Sequence, residues 1–385
     1  MPGEPVAVSF VIDALSRAGT ESQLLALIRG LDRSRVSPSL VLLDGRAASS
    51  RVLEPADCPV IRLGVTKLVG LHATRAALRL RHFWREQRPD VATLYFLDSA
   101  YFALPVAKLC GVRRVVRVRN NLGYWLTRKH RLLNRAARPW VDAVLTNSDT
   151  GRQALIDADG LDPARVIVIE NGVDLDRFAA APPPFARPGV VRVGCVANLR
   201  PVKNIDGLMH AAQLVLAHDP EAVFEVAGDG DQRRDLERLH AELGLGDRFA
   251  LRGSVADVPG FLASIDVAVL PSHSEGMSNA LLEFMAAGRA IVATDVGANA
   301  RLIVDGESGR IVPPGDAVSM ANAIGELLAA HETARRFGRA AQEFVAAEYG
   351  RAAMVARFTD FFEAITSAAG SSPPGRGAGR PSAGL

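Results

Sequence analysis

The chain lacks the features that mark secreted, disulfide-bonded or membrane-spanning proteins. Its three cysteines are scattered and form no Cys-x-x-Cys pair, which favours reduced thiols. No apolar run reaches the ~18 uncharged residues that a membrane-spanning helix needs. The N-terminal residues carry no basic segment followed by a cleavage site, so we expect no signal peptide. These absences together predict a cytoplasmic location.

The signatures of several enzyme and binding classes are also missing. No Gly-x-Gly-x-x-Gly fingerprint follows the first strand-like run, which argues against a nicotinamide-dependent enzyme. No Gly-x-Ser-x-Gly elbow occurs, so a serine hydrolase is not expected. The histidines lack the spacing of metal ligands. The net charge is only +3 over 385 residues, which argues against a dedicated nucleic-acid-binding protein.

What the chain does contain is a repeated alternation of short apolar runs and amphipathic segments. With 385 residues, 48% of them hydrophobic, it is long enough for two domains with large cores. The alternation predicts α/β domains in which helices connect parallel strands. The predicted strands cover 6–12, 38–43, 91–96 and 141–146 in the first half, and 190–197, 223–227, 249–251, 267–270 and 290–293 in the second.

A proline-rich segment separates the two halves. Residues 181–189 include three consecutive prolines, which neither a helix nor a central strand accommodates. We therefore predict a linker at 181–189 between a first lobe over 1–180 and a second lobe over 190–345. Residues 367–385 are rich in Ala, Gly, Ser, Pro and Arg, and we expect them to form a disordered tail.

The segment 271–288 carries the most specific pattern in the chain, PSHSEGMSNALLEFMAAG. It places Glu275 and Glu283 eight residues apart, with a short turn leading from the first into a helix that carries the second. The N-terminus of a helix attracts anions through its free N–H groups and its dipole. The two carboxylates are predicted to lie roughly 12 Å apart along the helix axis. A diphosphate at the helix N-terminus would then have a carboxylate on each side, which suits a sugar nucleotide.

This pattern resembles the donor site of retaining GT-B glycosyltransferases of family 4, the group 1 glycosyl transferases. The resemblance extends from about residue 6 to about residue 365. It implies an α/β fold with two Rossmann-like doubly wound lobes that face a central cleft. The first lobe would bind the acceptor and the second lobe the donor. A C-terminal helix over 351–366 would cross back to the first lobe.

The resemblance gives roles to residues of the second lobe. Glu275 would meet the sugar ring of the donor, Glu283 the ribose hydroxyls, and Lys203 the diphosphate. The family's usual arginine is replaced by Asn198. Either Arg200, two residues later, reaches the phosphates beside Lys203, which we favour, or Lys203 acts with less help. Glu275, Lys203 and Arg200 are thus the expected catalytic residues. Glu275 would position the sugar, and the two cations would stabilise the charge on the leaving diphosphate because they are preorganised. The other expected donor contacts are Gly276, Met277, Ser278, Asn279, Val255 and Gly228.

Two loops of the first lobe are expected to bind the acceptor or a phosphate. The first loop, which resembles the family's Gly-Gly loop, contains Gly19 and Thr20. The second contains Arg119, Asn120 and Asn121, at the place where many relatives carry a histidine. No titratable base is evident there, which fits a front-face mechanism. In that mechanism the departing phosphate oxygen takes the proton of the acceptor.

We expect the chain to need no metal ion or other cofactor. Lys203 and the helix N-terminus already supply positive charge to the diphosphate. Two Asp-x-Asp triplets, at 174–176 and 229–231, are of a kind that binds metals in a different glycosyltransferase fold. We interpret them here as loop-capping residues or as a backbone approach to the donor.

Basic residues are concentrated in one part of the chain. Residues 71–140 contain fifteen Lys or Arg and three Asp or Glu, a balance of +12. A predicted helix over 73–87 places arginines beside leucine, phenylalanine and tryptophan. One interpretation is attachment to an anionic membrane surface, where a lipid-linked acceptor would be presented. The alternative interpretation is a solvated helix face whose other side covers the sheet.

These features together predict a metal-independent, retaining glycosyltransferase that moves a sugar from a nucleoside diphosphate sugar to a glycan or lipid-linked glycan. Family prevalence favours cell-surface polysaccharide synthesis, with the protein peripheral at the inner face of the membrane. Two alternatives stay open. A non-catalytic protein that binds nucleotide sugars or glycans would tolerate Asn198 and the missing histidine. A GT-B-type sugar-nucleotide epimerase would need acid–base side chains where Asn120 and Asn121 stand, which argues against it.

Overall fold

Each half of the chain folds around its own parallel β-sheet. The computed structural model describes residues 4–16, 18–44, 48–65, 67–120, 123, 126–186 and 189–367. The chain divides into unit 1, formed by Met1–Ile169 with Met354–Leu385, and unit 2, formed by Glu170–Ala353. The described strands make a seven-stranded sheet in unit 1 and a six-stranded sheet in unit 2.

In chain order the strands are β1 (Val6–Ile12), β2 (Val36–Leu42), β3 (Val60–Arg62), β4 (Val91–Tyr95), β5 (Arg114–Val118), β6 (Ala143–Thr146), β7 (Val166–Val168), β8 (Arg192–Val196), β9 (Val223–Ala227), β10 (Phe249–Gly253), β11 (Val267–Leu270), β12 (Ala290–Thr294) and β13 (Arg310–Val312). Every pairing between these named strands is parallel. The predicted alternation of strands and helices is thereby confirmed in both units.

The α-helices are α1 (Gly19–Gly30), α2 (Ala48–Leu53), α3 (Leu71–Gln87), α4 (Leu97–Cys110), α5 (Arg128–Ala137), α6 (Asp149–Asp159), α7 (Ile205–Leu216), α8 (Arg233–Glu242), α9 (Val258–Ser264), α10 (Asn279–Ala286), α11 (Asn299–Leu302), α12 (Ala317–Ala329), α13 (His331–Glu348) and α14 (Arg351–Ser367). Short 3-10 turns lie at Arg138–Trp140, Pro163–Arg165, Leu175–Arg177, Pro201–Lys203 and Gly246–Arg248.

The strand order reverses once in each sheet. It runs β3-β2-β1-β4-β5-β6-β7 in unit 1 and β10-β9-β8-β11-β12-β13 in unit 2. The reversal therefore lies between β1 and β4 in unit 1 and between β8 and β11 in unit 2. Ligands of doubly wound sheets bind outside the carboxyl ends of the strands at such a point. The loops after these four strands are where each unit is expected to bind a ligand.

The C-terminal helix belongs to unit 1, as the resemblance implies. The ring of Phe362 on α14 meets that of Phe10 on β1 edge to face, with centroids 5.9 Å apart. Arg35 forms ion pairs with Asp360 and Glu363 on the exposed side of the same helix. Gly30 makes room for Val355, because a Cβ at position 30 would lie 2.8 Å from a Val355 methyl group.

The two units separate earlier than the boundary that we predicted at residue 180, and residues 182–185 of the proline-rich segment bond to unit 2. The two units separate between Ile169 and Glu170. The carbonyl of Pro182 accepts a hydrogen bond from the buried Arg289 of unit 2. Arg335, also in unit 2, donates to the carbonyls of Pro184 and Phe185 at 3.1 and 2.9 Å. Prolines lack the N–H but keep the carbonyl, so arginines can anchor such a segment.

The predicted tail at 367–385 overlaps the last helix by one residue. Ser367 is the final residue of α14. Residues 368–385 lie outside the described part of the chain.

Candidate active site

The centre of the candidate site in unit 2 is an ion pair between two loops. Lys203 Nζ donates a hydrogen bond to Glu275 Oε1 at 2.5 Å, and Ser272 Oγ donates to the same oxygen at 2.7 Å. The side chains are 22% and 10% exposed for Lys203 and Glu275. Within the described residues no donor bonds Oε2 of Glu275. One carboxylate oxygen is thus fixed by the protein, and the other is available to a ligand hydroxyl.

Main-chain contacts hold these two loops together. Lys203 ends the 3-10 turn Pro201–Lys203 after β8, and Asn204 then takes a left-handed φ of 51° at the start of α7. The buried Asn204 amide donates to the carbonyl of Pro271 at 3.0 Å, and His273 N donates to the Val202 carbonyl at 2.8 Å. Both bonds join the loop after β8 to the loop after β11. The position of Lys203 against Glu275 is therefore set by the backbone.

Helix α10 begins later than the sequence predicts. Its N-cap is Ser278, whose hydroxyl accepts a hydrogen bond from Leu281 N, and its first residue is Asn279. Glu275 lies in the preceding loop, and Glu283 lies about one turn inside the helix. Glu275 thus lies before the helix, as predicted, but Glu283 is about one turn into the helix rather than the predicted two. Four residues of helix separate Asn279 from Glu283, which is about 6 Å of axial rise.

Glu283 is held in an environment that disfavours its charge. Burial raises the pKa of the Glu283 carboxyl to about 7, against the opposing effect of the Arg177 guanidinium. At neutral pH the side chain is therefore divided between its acid and carboxylate forms. When ionised, the carboxylate can accept hydrogen bonds from a diol. A ligand that binds next to Glu283 can change its protonation state.

Sequence reasoning missed the contribution of the segment 171–178. The Asn171 amide donates to the main-chain carbonyl of Met277 at 3.3 Å and to Asn279 Oδ1 at 2.7 Å. Arg177, in the same segment, acts electrostatically on Glu283. Asn171 thus fixes the loop that leads into α10 by hydrogen bonds, and the charge of Arg177 acts on Glu283 within the helix. The signal in the sequence was an Asn-Gly pair followed by charged residues, which we interpreted as loop capping or as a backbone approach to the donor and not as support for Glu275 and Glu283.

The predicted donor contacts differ in what they can offer a ligand. The Met277 side chain is 5% exposed and packs in the core of unit 2, so it anchors the loop to the core and does not face a ligand. Ser278 is buried and caps α10. Gly276 is held by a hydrogen bond from Ala298 N to its carbonyl at 2.9 Å. Val255 follows β10 and is half-buried.

Gly228 is required for packing at the end of β9. A Cβ at position 228 would lie 1.8 Å from the carbonyl oxygen of Ala197, the residue after β8. Gly228 N also donates to the carbonyl of Gly253 at 2.8 Å. The glycine therefore brings the loop after β9 against the loop that carries Asn198 and Arg200. Whether this backbone meets the donor stays a prediction.

Arg200 is not part of the Lys203–Glu275 group. Its side chain is exposed, and its guanidinium has no hydrogen-bond or ion-pair partner in the described part of the chain. Its main-chain N donates to the Asn198 carbonyl at 2.8 Å. Arg200 is thus a free cation next to the site, and its contact with a diphosphate stays a prediction.

The predicted acceptor loops of unit 1 meet at a small cavity. Thr20, Arg119 and Asn120 line a space of about 110 Å³ at the carboxyl edge of the sheet. Gly19 is exposed and begins α1 next to Thr20. Asn121 lies outside the described residues. The structure therefore brings together three of the five residues predicted to bind the acceptor or a phosphate, and Gly19 adjoins them.

Asp13 is a further carboxylate at this edge that the sequence analysis overlooked. It follows β1 directly and accepts hydrogen bonds from Ser99 Oγ at 2.5 Å and Ser99 N at 3.0 Å. Burial raises the pKa of the Asp13 carboxyl, with smaller contributions from Asp98 and Glu21. Its place immediately after the first strand was the available signal, because ligands bind at that end of the sheet.

The two Asp-x-Asp triplets of unit 2 make protein contacts. Asp174 pairs with Arg351 at 3.0 Å, and Asp229 accepts a hydrogen bond from Gly230 N at 2.8 Å. Among the residues that the structure describes, no three His, Cys, Asp or Glu side chains are arranged to hold a metal ion. Metal independence of the reaction stays a prediction.

None of the described helices has both the length and the apolar character required to cross a bilayer.

The sequence matches two family models, one in each unit. Residues 18–172 match the glycosyl transferase 4-like domain, and residues 190–330 match glycosyl transferases group 1. The 2-deoxystreptamine glucosyltransferase of Streptomyces kanamyceticus is 30% identical over 375 residues, which cover 88% of this chain and 92% of that protein. The chain therefore belongs to the group 1 glycosyl transferases of family 4, as the residues of the donor motif imply.

Other curated relatives differ in their named acceptors. The lipopolysaccharide core biosynthesis mannosyltransferase LpcC of Rhizobium leguminosarum is 29% identical over 77% of this chain and 81% of its own length. D-inositol 3-phosphate glycosyltransferase 2 of Catenulispora acidiphila is 32% identical, but the match spans 57% of this chain and 56% of that protein. The chain thus spans about half the length of this relative.

The fold agrees with that of solved GT-B glycosyltransferases. HepE of Anabaena, solved in complex with UDP and glucose, superposes with a TM-score of 0.79 over 92% of this chain and 99% of its own. Only 18% of the aligned residues are identical, so this similarity shows the fold alone. The two Rossmann-like units expected from the sequence are confirmed.

Proposed function

We propose that the chain is a retaining, metal-independent glycosyltransferase with a nucleoside diphosphate sugar as donor. The observation that carries this proposal is the hydrogen-bonded group of Lys203, Glu275 and Ser272. It lies beside the N-terminus of α10, at the point of unit 2 where the strand order reverses. A cation, a helix dipole and a carboxylate placed together suit a sugar attached to a diphosphate.

Lys203 has a role both before and during bond cleavage. An ammonium group has three donors, so Nζ can keep its bond to Glu275 and still bind a phosphate oxygen. When the bond between the anomeric carbon and the phosphate oxygen breaks, negative charge develops on the diphosphate. A cation already fixed in a partly buried loop stabilises that charge without reorganising. The free Arg200 side chain can add to this effect from the loop edge.

A group in the site must accept the proton of the acceptor hydroxyl. Asn120 cannot take a proton, and it stands where a base would otherwise be expected. We propose that the departing phosphate oxygen accepts the proton while the acceptor oxygen bonds to the anomeric carbon on the same face. One C–O bond breaks, another forms, and the configuration at the anomeric carbon is retained.

The donor and acceptor classes rest on the relatives. HepE was solved with UDP and glucose, so uridine diphosphate sugars are the first donors to test. The LpcC relative acts in lipopolysaccharide core biosynthesis, which supports a glycan or lipid-linked glycan acceptor in cell-surface polysaccharide synthesis. A small aminocyclitol is the alternative acceptor, because the 2-deoxystreptamine glucosyltransferase matches over nearly its full length.

A product assay tests this function. The protein is incubated in EDTA with uridine and guanosine diphosphate sugars and with each acceptor class in turn. We expect sugar transfer to one acceptor class, with the same anomeric configuration in donor and product when measured by NMR coupling constants. An inverted product would contradict the mechanism, and transfer that requires an added divalent cation would contradict metal independence.

Helix α5 is the best candidate for the proposed membrane contact at the inner face. Its single buried residue is Asn134, and Ala137 at its end packs partly against the core. Leu132 and Leu133, among the basic residues of α5, are 70% and 47% exposed, and Trp140 in the turn that follows is 48% exposed. Helix α3, by contrast, buries Leu80 and Trp84 against the sheet, which fits the alternative interpretation for that helix.

Vesicle binding tests the membrane contact. We expect the protein to sediment with vesicles of phosphatidylglycerol but not phosphatidylcholine, and less so at high salt. Replacing Leu132 and Leu133 by Ser should weaken the binding. Replacing the exposed Leu78 of α3 by Ser is the matched control and should leave binding unchanged. Equal binding by both variants would contradict a role for α5.

A further inference from the structure

Strand β5 carries two arginines where a buried parallel strand normally carries apolar residues. Its sequence is Arg-Val-Val-Arg-Val, and Arg119 follows it directly. Arg117 and Arg119 are two residues apart, so their side chains leave the sheet on the same face. On that face β5 also carries Val115, which lies in an apolar cluster with residues of α3 and α4. Two guanidinium groups therefore enter a layer that apolar side chains would fill in most doubly wound sheets.

The space around them is a cavity of about 300 Å³. This volume is at the lower end of the range of ~300–1,000 Å³ for small-molecule sites. Four arginines and two aspartates contribute to its wall, a formal balance of +2. The charged residues are Arg117, Arg119, Arg138, Arg165, Asp159 and Asp162. The cavity is in unit 1, whereas the candidate donor site is in unit 2.

Arg117 is a buried cation that forms no ion pair with a carboxylate among the residues that the structure describes. It is 7% exposed, and the hydrogen bond it donates within the described residues goes to the neutral Oδ1 of Asn134, at 2.9 Å. The nearby Asp159 is taken by Arg119, with which it forms an ion pair. Burial, together with the charge of Arg119, lowers the pKa of Arg117 to about 10. A guanidinium has five donors, and a buried one is costly unless an anion compensates it.

Two further donors in this wall lack an acceptor. Nδ2 of Asn134 is buried and has no hydrogen-bond partner among the described residues, and Asn134 itself is 7% exposed. Nε of Arg138, in the turn that follows α5, is also buried and has no hydrogen-bond partner among the described residues. Oδ1 of Asn134 is already used by Arg117 and by the Tyr101 hydroxyl. The unmet groups of the cavity are thus donors, which calls for a ligand that only accepts hydrogen bonds.

We propose that this cavity binds a phosphate-class anion through Arg117, Asn134 and Arg138. Phosphate oxygens accept several hydrogen bonds and match the planar fork of a guanidinium. The phosphate comes either from a soluble anion or from a lipid-borne group at the membrane surface that α5 is proposed to contact. Arg117 and Arg119 also line the smaller cavity with Thr20 and Asn120, so the anion would lie next to the predicted acceptor loops. The inference concerns binding and does not depend on the transferase activity.

Calorimetric titration with inorganic phosphate tests the site. The Lys203→Ala variant is the background, so that the candidate donor site contributes little. We expect saturable binding to this variant, and at least tenfold weaker binding when Arg117→Met is added. Arg85→Met is the matched control, because Arg85 is an exposed arginine on α3 of the same unit. It should leave the affinity for phosphate unchanged.

Asn134→Asp provides an independent test that keeps the arginine. The new carboxylate would stand 2.9 Å from Arg117, where the amide oxygen is now. It would neutralise Arg117 from inside the protein, so phosphate affinity should fall at least tenfold. The thermal midpoint should be maintained or raised, because the buried cation gains a partner. This outcome separates loss of the site from loss of the fold if Arg117→Met proves unstable.

Vesicles distinguish the two sources of the anion. The same variants are sedimented with phosphatidylglycerol vesicles in phosphate-free buffer. Phosphate binding that Asn134→Asp abolishes identifies a soluble anion as a ligand. Vesicle binding that Asn134→Asp weakens, without any binding of inorganic phosphate, identifies a lipid-borne phosphate. The proposal is overturned if neither probe binds, or if both bind equally well with Arg117→Met and with Asn134→Asp.

Discussion

Gly297 lies directly against the main chain of Glu275. A Cβ at position 297 would be 2.3 Å from the carbonyl oxygen of Glu275, and φ of Gly297 is +60°. The loop after β12 therefore closes on the loop that carries the candidate catalytic carboxylate only because residue 297 has no side chain. Backbone fit at this point determines where Glu275 can stand relative to Lys203.

Gly297→Ala is expected to lower both stability and turnover. The methyl group would push the Glu275 loop away and lengthen the contact to Lys203. Gly306→Ala is the matched control, since its φ is +76° and no atom lies within 4 Å of the place that its methyl group would take. The control should cost only about 1–2 kcal/mol of left-handed backbone strain and leave turnover unchanged. Equal turnover in both variants, measured by a donor-consumption assay, would show that this contact does not position Glu275.

Lys203→Ala is expected to reduce kcat by more than tenfold, which corresponds to more than about 1.4 kcal/mol of transition-state stabilisation. The variant removes the cation that faces the leaving diphosphate. Lys108→Ala, which changes an exposed lysine on α4 of unit 1, should have no effect. Near-normal turnover of Lys203→Ala would remove this residue from the mechanism.

Glu283 should make stability depend on pH with a defined sign. Its pKa in the folded chain is about 7, above its ordinary value of 4.5. Between these two values the folded state keeps the proton that the unfolded state has released. The free energy of unfolding should therefore fall as pH rises through this window, by at most roughly 3 kcal/mol.

Glu283→Gln should abolish that part of the pH dependence. Chemical denaturation of both proteins at pH 5 and pH 8 measures it, and the variant should gain relative stability at the higher pH. An identical pH dependence in the two proteins would mean that Glu283 is not held in a charge-disfavouring environment. Because all other titrating groups are shared, the difference between the two proteins reports on Glu283 alone.

Asn171→Ala is expected to destabilise unit 2 by about 1–2 kcal/mol, through loss of the hydrogen bonds to Met277 and Asn279. It should also weaken donor binding, because those bonds hold the loop that leads into α10. Gln153→Ala is a suitable control, since within the described residues its side chain bonds only to Asp157 on the exposed face of α6. Unchanged denaturation and donor affinity in Asn171→Ala would argue against this role.

The sequence predicted the longer apolar strands well, whereas β3, β7 and β13, of three residues each, are shorter than the apolar runs that mark a strand and were missed. β1, β9 and β11 were placed with the bounds that the structure has. β5 was missed, because its two arginines hide the apolar pattern that marks a buried strand. Those same arginines made the region look like a basic surface, whereas Arg117 is buried. A charge inside a strand cannot be located from periodicity alone.

The site was predicted in part. The pairing of Lys203 with Glu275 could be expected, because each follows a strand at the point where the order reverses. The support from Asn171 could not, since it lies about a hundred residues earlier and reaches the loop only through tertiary packing. The depth of Glu283 in α10 was overestimated, because the helix begins only after its cap Ser278.

The most direct measurement is the thermal midpoint of the protein with nucleoside diphosphate sugars in EDTA. A ligand that binds the native state raises stability by RT ln(1 + [L]/Kd). We expect one donor to raise the midpoint of the wild type, and the rise to be reduced in Glu283→Ala without any added metal. If no donor changes the midpoint, or if the wild type and Glu283→Ala respond equally, the proposed donor site is contradicted.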